Sequence, residues 1–183
     1  EYKVLTQKDK WFSGKFDPEL LEQADVIIDF SHHSAVSEVL DYAEHFGCAV
    51  VIGTTGHTEE EKRRIYAAGD KIPVFYSGNM SIGIALLCQL TRQTVALFPD
   101  ADVEIVEIHH NRKVDAPSGT AKLLLDAVVE AEPEAGYHPV YGREGMCGAR
   151  DPKEIGMHSL RGGTVAGVHE VSFFGQDEEV TLS

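Results

Sequence analysis

Cysteine is scarce in this sequence, and the few residues present follow no pairing pattern. Cys48, Cys88 and Cys147 make an odd number, and no two of them form a Cys-x-x-Cys pair. An odd count without paired spacing disfavours both a disulfide framework and a zinc site. We therefore expect buried, reduced thiols in a cytoplasmic protein, and no metal ion.

Basic residues and long apolar runs are also lacking. Lys and Arg number 16 against 30 Asp and Glu, which gives a formal net charge of −14. This balance argues against nucleic acid or an anionic membrane surface as a partner. No apolar run approaches the ~20 residues that cross a bilayer, and no secretory signal pattern opens the sequence. With 43% hydrophobic residues among 183, the chain suits a soluble protein of one large domain or two small ones.

The first half alternates short apolar runs with helical patterns. DVIIDF at 25–30, CAVVIG at 48–53 and IPVFYS at 72–77 have the length and composition of buried strands. Ser34 is predicted to cap a first helix that Gly47 ends, and Thr58 with Glu61 predicts a capping box for a second helix. Strands and helices that alternate over short connections predict a parallel sheet with right-handed crossovers.

The three strand ends share a common character. Small or hydroxyl-bearing residues follow each strand, in Phe30-Ser31, Gly53-Thr54-Thr55-Gly56 and Ser77-Gly78-Asn79. Each segment alone reads as an ordinary tight turn. In an open parallel sheet, however, all three leave the same carboxyl edge, which is where ligands bind. Together they therefore predict a ligand site at that edge.

The pattern changes after residue 79. Helices are predicted over 81–98 and 118–131, an alternating strand over 102–109, and irregular Gly/Pro-rich chain over 133–153. IGMHSLRGG and TVAGVHEVSFFG then read as a hairpin joined at Gly162-Gly163, with EEVTLS as a further strand. We therefore predict an α/β protein. A partial Rossmann-like parallel sheet (1–79) is followed by an α+β domain (80–183) with a mostly antiparallel mixed sheet.

The segment HHNRKVDAPSGTAKLLL at 109–125 carries the chemistry. A helix that begins near Ser118 presents unpaired N–H groups and the positive end of its dipole, which favour an anion. Lys113 adds a charge, so a carboxylate or phosphate fits here. His109 and His110 end a strand and point to opposite faces, so one could bind while the other transfers a proton. Metal binding is disfavoured by the spacing, and no Gly-x-Ser-x-Gly elbow surrounds Ser118.

These residues resemble a known family. EIHHNRKVDAPSGTA at 107–121 resembles the signature segment of the 4-hydroxy-tetrahydrodipicolinate reductase (dihydrodipicolinate reductase) family, E-x-H-H-x-x-K-x-D-A-P-S-G-T-A. VIIDFSHHSAV, VIGTTGHTEEE and SGNMSIGI match further family segments in the same order, and LRGGTVAGVHEVSFFG is similar to a family hairpin. The resemblance covers roughly residues 24–183.

The resemblance implies an enzyme of lysine and diaminopimelate biosynthesis that reduces a cyclic dicarboxylate with NADH or NADPH. By this resemblance His109 and Lys113 transfer the proton. It also implies that the substrate carboxylates contact His110, Lys113, Ser118, Gly119, Thr120 and Arg161. Cofactor contacts are implied for Phe30, Ser31, Gly53, Thr54, Thr55, Ser77, Gly78, Asn79 and Met80. A homotetramer with the second half's sheet as its interface is implied as well.

The sequence departs from the family at three places. No glycine-rich G-x-x-G-x-x-G loop precedes residue 24, and a last strand and helix do not follow the final TLS, so we expect a chain truncated at both ends. Met80 stands where an aromatic residue is common, and a thioether can pack there too. The choice between NADH and NADPH stays open because the residues that read the ribose precede this chain.

Two rival functions remain. One is a catalytically idle dicarboxylate-binding or assembly homologue that kept the site and lost the cofactor loop, which dinucleotide binding would distinguish. The other is a different NAD(P)H reductase of the same two-domain plan, for example one that acts on an aldehyde. That rival ranks low because such an enzyme would lack the His-His-x-x-Lys and Ser-Gly-Thr combination.

Overall fold

A computed structural model describes residues 24–183, and the chain divides into two compact units, Glu1–Gly78 and Asn79–Ser183. The predicted polar opening segment EYKVLTQKDKWFSGKF lies outside the described residues. None of the described helices is long and apolar enough to cross a membrane.

The described part of the first unit, from residue 24, is a three-stranded parallel sheet with helices between its strands. The order β1-β2-β3 joins β1 (Val26–Asp29), β2 (Ala49–Ile52) and β3 (Val74–Tyr76). The helices that connect them are α1 (Val36–Phe46) and α2 (Glu59–Ala68). Alternate strand residues pack against the apolar stripes of these helices. The core that results consists of Ile27, Val36, Val39, Leu40, Ala43, Cys48, Val50, Ile52, Ile65, Ala68 and Ile72. The predicted parallel sheet is thus confirmed.

The ends of these helices show which local predictions hold. Gly47 adopts the left-handed conformation and ends α1 as predicted, with φ of 69°. The capping box of α2 is confirmed: Glu61 N–H donates to Thr58 Oγ1 over 3.2 Å and Thr58 N–H donates to Glu61 Oε2 over 2.7 Å. The predicted Ser34 cap is wrong. A 3₁₀ turn at His33–Ala35 precedes α1, and His32 is the N-cap of that turn. The His32 ring accepts a hydrogen bond from Ser34 N–H.

The second unit is a five-stranded sheet covered on one face by two helices. In chain order it contains α3 (Ile82–Leu97), β4 (Asp102–His109), α4 (Gly119–Ala131), β5 (His138–Tyr141), β6 (Glu154–Arg161), β7 (Val168–Phe174) and β8 (Glu179–Leu182). The strand order is β5-β6-β4-β7-β8. The β4–β6 and β5–β6 pairs are parallel, whereas the β4–β7 and β7–β8 pairs are antiparallel. The predicted mixed sheet is confirmed, but it is not mostly antiparallel, since two of its four pairings are parallel.

The predicted hairpin between the last two long strands is wrong. β6 and β7 do not pair with each other, because β4 lies between them and hydrogen-bonds to both. The Gly-Gly connection crosses the end of β4: Gly162 N–H donates to the His109 carbonyl over 2.9 Å, and Asn111 N–H donates to the Gly163 carbonyl over 3.2 Å. The segment predicted to be irregular also contains β5, which forms only because β6 supplies a partner edge.

Alternation along β4 decides which side chains are buried. Val103, Ile105 and Glu107 are buried on the face that packs against α3 and α4. The intervening residues Asp102, Glu104, Val106 and Ile108 lie on the open face. The apolar core therefore lies between the sheet and the two helices, and Glu107 is a carboxylate on its margin.

Candidate active site

Neighbouring strands of the second unit bring three polar side chains together around Glu107. Glu107 and His109 are two residues apart on β4 and therefore share a face. The register sets Arg161 of β6 opposite His109, and His169 of β7 opposite Glu107. The sheet itself thus assembles this group, because β4 has a partner strand on each side.

The Glu107 carboxylate is the centre of the group. It is 1% exposed, and Arg161 binds it in a bidentate manner, with Nη1 to Oε2 of 2.9 Å and Nη2 to Oε1 of 2.8 Å. Ser118 N–H donates to Oε1 over 3.2 Å, and His109 Nδ1 lies 2.5 Å from Oε2. Burial alone would raise the pKa of Glu107, but these hydrogen bonds, from Arg161 above all, lower it to about 2. The carboxylate is therefore ionised at neutral pH.

An ionised Glu107 fixes the tautomer of His109. A carboxylate without its proton can only accept hydrogen bonds, so the proton of this contact must be on Nδ1 of His109. In the neutral ring the lone pair then belongs to Nε2, and in the imidazolium Nε2 carries the transferable proton. The His109 side chain is 11% exposed. Glu107 thus orients the ring through one nitrogen and leaves the other for chemistry.

The N-terminus of α4 lies directly beside Glu107. Ser118 is the N-cap: its Oγ accepts from Ala121 N–H over 3.1 Å and contacts His169 Nε2 at 3.1 Å. Thr120 is also buried, and its Oγ1 accepts from Asn79 Nδ2 over 2.8 Å. Both hydroxyls are therefore engaged within the protein. The N–H groups of Gly119 and Thr120 donate to no other described residue, so the helix end offers them to an anion.

His169 adds a second ring to the site. The His109 and His169 rings meet edge to face, with centroids 5.1 Å apart. Burial is the main reason that the pKa of His169 is lowered, and the charge of His109 lowers it further, with a smaller contribution from Lys113. The lowered pKa favours the neutral ring of His169, and its hydrogen bond to Ser118 ties β7 to the start of α4.

Lys113 belongs to the loop between β4 and α4. Its backbone N–H donates to the His110 carbonyl over 3.2 Å, and its Nζ lies 2.8 Å from Oδ1 of Asp115. The lysine side chain is 20% exposed and the aspartate 55%, so this ion pair lies at the surface of the site. Burial raises the pKa of Asp115, but the hydrogen bond from Lys113 outweighs that effect and the net shift is downward. A ligand carboxylate would exchange with Asp115 on Lys113.

Two predicted site residues have other roles in this arrangement. The Arg161 guanidinium donates to Glu107, to the Leu160 carbonyl and, through Nη2 over 2.8 Å, to the Asp115 carbonyl. It therefore ties the Lys113 loop to Glu107. His110 is not part of the Glu107 group; its Nδ1 accepts a local hydrogen bond from Arg112 N–H over 3.2 Å. The two adjacent histidines thus have different partners, and His110 lies in the loop because β4 ends at His109.

The sequence did not reveal two members of the site, Glu107 and His169. A charged residue at an inward position of an alternating strand is the signal that could have found Glu107. His169 stands in the quoted LRGGTVAGVHEVSFFG segment, but only the pairing of β7 with β4 brings it to Glu107.

The residues predicted to bind a cofactor divide between the two units. Phe30, Ser31, Gly53, Thr54, Thr55, Ser77 and Gly78 belong to the first unit, and Asn79 and Met80 to the second. In the first unit the strand ends are linked at the carboxyl edge: Gly53 N–H donates to the Asp29 carbonyl over 2.8 Å, and Ser31 N–H donates to Thr54 Oγ1 over 2.9 Å. Ser77 N–H donates to the Ile52 carbonyl over 3.1 Å. The exposed Phe30 ring lies on Gly53, where a Cβ would meet it at 2.2 Å.

Comparison with known proteins explains this arrangement. Residues 83–183 match the family model described as dihydrodipicolinate reductase, C-terminus, and residues 6–80 match dihydrodipicolinate reductase, N-terminus. This chain belongs to the dihydrodipicolinate reductase family. The family's two domain models thus meet where the two compact units of the chain divide.

Relatives with curated names agree with this assignment. The chain is 46% identical over 165 residues to 4-hydroxy-tetrahydrodipicolinate reductase of Caldanaerobacter subterraneus subsp. tengcongensis, which covers 90% of this chain and 65% of the relative. It is 48% identical over 164 residues to the enzyme of that name from Exiguobacterium sibiricum, with coverage of 90% and 65%. The chain therefore spans slightly less than two thirds of the length of these two relatives.

Solved structures show the same fold. Dihydrodipicolinate reductase from Paenisporosarcina sp. TG-14, with dipicolinate bound, superposes with a TM-score of 0.62 at 31% identity, over 86% of this chain and 60% of that one. A probable dehydrogenase from Thermotoga maritima superposes with a TM-score of 0.53 at 11% identity, over 91% of this chain and 60% of that one, which is a likeness of fold alone.

Proposed function

We propose that this protein reduces 4-hydroxy-tetrahydrodipicolinate (dihydrodipicolinate) to tetrahydrodipicolinate in lysine and diaminopimelate biosynthesis, with NADH or NADPH as the reductant. The observation that carries the proposal is the Glu107–His109 pair beside the N-terminus of α4, with Lys113 on the loop that Arg161 ties to Glu107, in a chain of this family. The reaction consumes one hydride and one proton and releases one water.

The site suits a small dicarboxylate. The N–H groups of Gly119 and Thr120 and the Lys113 ammonium supply a helix end and a positive charge for one carboxylate. The Paenisporosarcina relative, solved with dipicolinate bound, shows that a protein of this fold holds a planar ring with two carboxylates. Carboxylate binding here would use its binding energy to orient the ring for reaction.

The carboxyl edge of the first sheet suits a dinucleotide. Small and hydroxyl-bearing residues follow every strand there, so a cofactor can approach the backbone closely. Phe30, Ser31 and the Gly53-Thr54-Thr55 segment would hold it in the first unit, with Ser77, Gly78, Asn79 and Met80 from the connection between units. When bound, a reduced nicotinamide supplies the hydride.

Residues of the second unit would supply the proton that the reaction consumes. His109 Nε2 is the nitrogen that Glu107 leaves free, so His109 is positioned to protonate the electron-rich ring product. Lys113 neutralises a carboxylate and is the second candidate donor. Ser118 contributes its N–H to Glu107 and its hydroxyl to the helix cap, and so acts by positioning the N–H groups that follow it.

The assembly is part of the same proposal. We place a homotetramer interface on the open face of the second unit's sheet, where Leu160, Val168 and Phe174 are 47%, 45% and 40% exposed. Burial of such a patch by other copies would stabilise the oligomer. The free thiols Cys48, Cys88 and Cys147 and the use of a reduced nicotinamide cofactor support a cytoplasmic location. No nucleic acid or membrane partner is proposed.

The test is NAD(P)H oxidation by the full-length protein with 4-hydroxy-tetrahydrodipicolinate freshly made by the synthase. Both cofactors are run, with Lys113→Ala as the site variant and Lys122→Ala, exposed on α4, as the matched control. Lys113→Ala is expected to lower kcat/KM by roughly 100-fold or more, since it removes both a carboxylate contact and a candidate proton donor.

Each outcome separates the candidate functions. Substrate-dependent oxidation that collapses in Lys113→Ala and persists in Lys122→Ala supports the reductase. Wild-type kcat/KM in Lys113→Ala would remove that residue from the mechanism. Calorimetric binding of dipicolinate by a folded protein that oxidises neither cofactor would identify the idle dicarboxylate-binding homologue instead.

A further inference from the structure

His109 has one nitrogen committed to the protein and one free. Nδ1 is 2.5 Å from an ionised, 1% exposed carboxylate, so this nitrogen cannot give up its proton without breaking the contact. Any proton that His109 exchanges with a ligand must pass through Nε2. What lies in front of Nε2 therefore decides whether the histidine can act.

Gly167 is the residue in front of Nε2. It is exposed, it precedes β7, and a Cβ built on it would lie 3.1 Å from His109 Nε2 and 3.5 Å from His109 Cδ2. The same Cβ would lie 3.5 Å from Cε1 of His169. A contact of 3.1 Å is tighter than almost all real Cβ contacts, and both rings are held by hydrogen bonds on their other sides. A methyl group would thus either cover Nε2 or force the His109 ring to shift by a few tenths of an ångström.

The backbone gives no separate reason for glycine at this position. The φ of Gly167 is outside the left-handed region, whereas Gly163 in the same connection has φ of 52°. An alanine at 167 would therefore be accepted by the main chain. The constraint on this position comes from the two histidine rings.

We propose that Gly167 is an access residue for proton transfer: by lacking a side chain it keeps Nε2 of His109 open, while Glu107 keeps Nδ1 closed. This inference rests on the proposed reductase function for its catalytic consequence, but access to Nε2 is measurable without turnover. Gly167 makes no hydrogen bond in this role. It acts through the space that it leaves free.

The test compares Gly167→Ala with Gly162→Ala in the full-length protein. Gly162 lies on the same β6–β7 connection, its φ is also outside the left-handed region, and a Cβ there meets no atom within 4 Å. The two variants carry the same chemical change at positions five residues apart. Tm of each variant establishes that it folds, and the exposed position of Gly167 makes folding the expected result.

The first readout is chemical. Diethyl pyrocarbonate carbethoxylates unprotonated imidazole nitrogens, and His110 in the same tryptic peptide is an internal reference, resolved from His109 by fragment-ion mass spectrometry. Gly167→Ala is expected to lower the His109-to-His110 modification ratio about fivefold or more, whereas Gly162→Ala leaves it unchanged. An unchanged ratio in Gly167→Ala would overturn the proposal.

The second readout is kinetic. Gly167→Ala is expected to lower kcat about tenfold or more, as for partial loss of general acid catalysis, while the Kd for dipicolinate changes less than about twofold. Dipicolinate affinity that falls in parallel with kcat would instead make Gly167 part of the binding surface and refute the access role. If no variant oxidises NAD(P)H, wild type included, the proposed function fails, while the modification ratio still decides access to Nε2.

Discussion

Asp115 forms an ion pair with Lys113. Its carboxylate lies 2.8 Å from Nζ, yet it is 55% exposed, and its carbonyl is fixed by Arg161. The side chain is therefore free to move aside while the loop backbone stays in place. Under the proposed function, a substrate carboxylate would replace the Asp115 carboxylate on Lys113.

Asp115→Asn should therefore tighten the binding of dicarboxylates. Removal of a competing negative charge frees Lys113, and an exposed ion pair of this kind contributes about 0.2–1 kcal/mol, which converts to roughly 1.5- to 5-fold in Kd. Calorimetric titration with dipicolinate measures the change, with Asp100→Asn as a control of equal net charge at an exposed turn. Weaker binding in Asp115→Asn would show that Asp115 positions Lys113 instead of competing for it.

Short helices of the first unit depend on their caps. The α2 helix has ten residues and few buried side chains, Ile65 and Ala68, so little packing energy holds its first turn. The reciprocal hydrogen bonds of Thr58 and Glu61 satisfy the backbone N–H groups of both residues. The Glu61 carboxylate also contacts His33 Nδ1 at 3.0 Å. The cap thus ties the helix start to the turn that precedes α1.

Thr58→Ala is expected to lower the free energy of unfolding of the first unit by about 1 kcal/mol, because the Glu61 N–H loses its acceptor. Urea unfolding followed by circular dichroism measures the loss. Thr58→Ser retains the hydroxyl and should stay within a few tenths of a kcal/mol of wild type. Equal losses in both variants would place the effect in the methyl group and not in the cap.

Local signals predicted the elements that depend on local chemistry. The capping box, the Gly47 helix end and the three short strands of the first unit all follow from residues close in sequence. The hairpin prediction failed because two alternating strands with a glycine pair between them carry no information about a third strand. β4 takes the place between them since both of its edges find partners.

The same distinction applies to the site. His109, Lys113 and the start of α4 lie within one short segment, so the sequence indicated an anion site there. Glu107, Arg161 and His169 become a group only through strand register, with Arg161 opposite His109 and His169 opposite Glu107. Arg161 was predicted from a family resemblance, and the hydrogen bonds it makes go to Glu107 and to main-chain carbonyls.

At the scale of the whole molecule, the second unit contains two carboxylates with strongly lowered pKa values. Burial would raise the pKa of Glu104, but hydrogen bonds from Arg143, His158 and Arg150 lower it to about 2, as Arg161 does for Glu107. Glu104 lies on the open face and receives Arg143 Nη2 at 2.7 Å and His158 Nε2 at 2.7 Å. The loop at 142–153 is thus tied to the sheet by charge.

These carboxylates predict how stability depends on pH. The folded pKa of Glu104, about 2, is below its ordinary value of 4.5, so its contribution is fully present above pH 4.5 and is lost as pH falls toward 2. Glu104→Gln should lower the unfolding free energy at pH 7 by about 3 kcal/mol, and the difference from wild type should shrink in acid.

Chemical denaturation between pH 7 and pH 3 tests this prediction. Glu60→Gln, on the exposed first turn of α2, is the control and should run parallel to wild type throughout. A difference between Glu104→Gln and wild type that stays constant with pH would mean that packing of the side chain, and not its charge, provides the stabilisation.

The pleat of β4 also restricts which changes in length the gene can tolerate. Glu104 and Glu107 are three residues apart, so one carboxylate faces Arg143 of the loop at 142–153 and the other faces Arg161 and His109. A single-codon insertion or deletion between them would turn one of the two toward the wrong side and leave an arginine without its partner. In an indel scan of the gene, β4 should therefore reject every one-residue change, even where substitutions at its open-face positions survive.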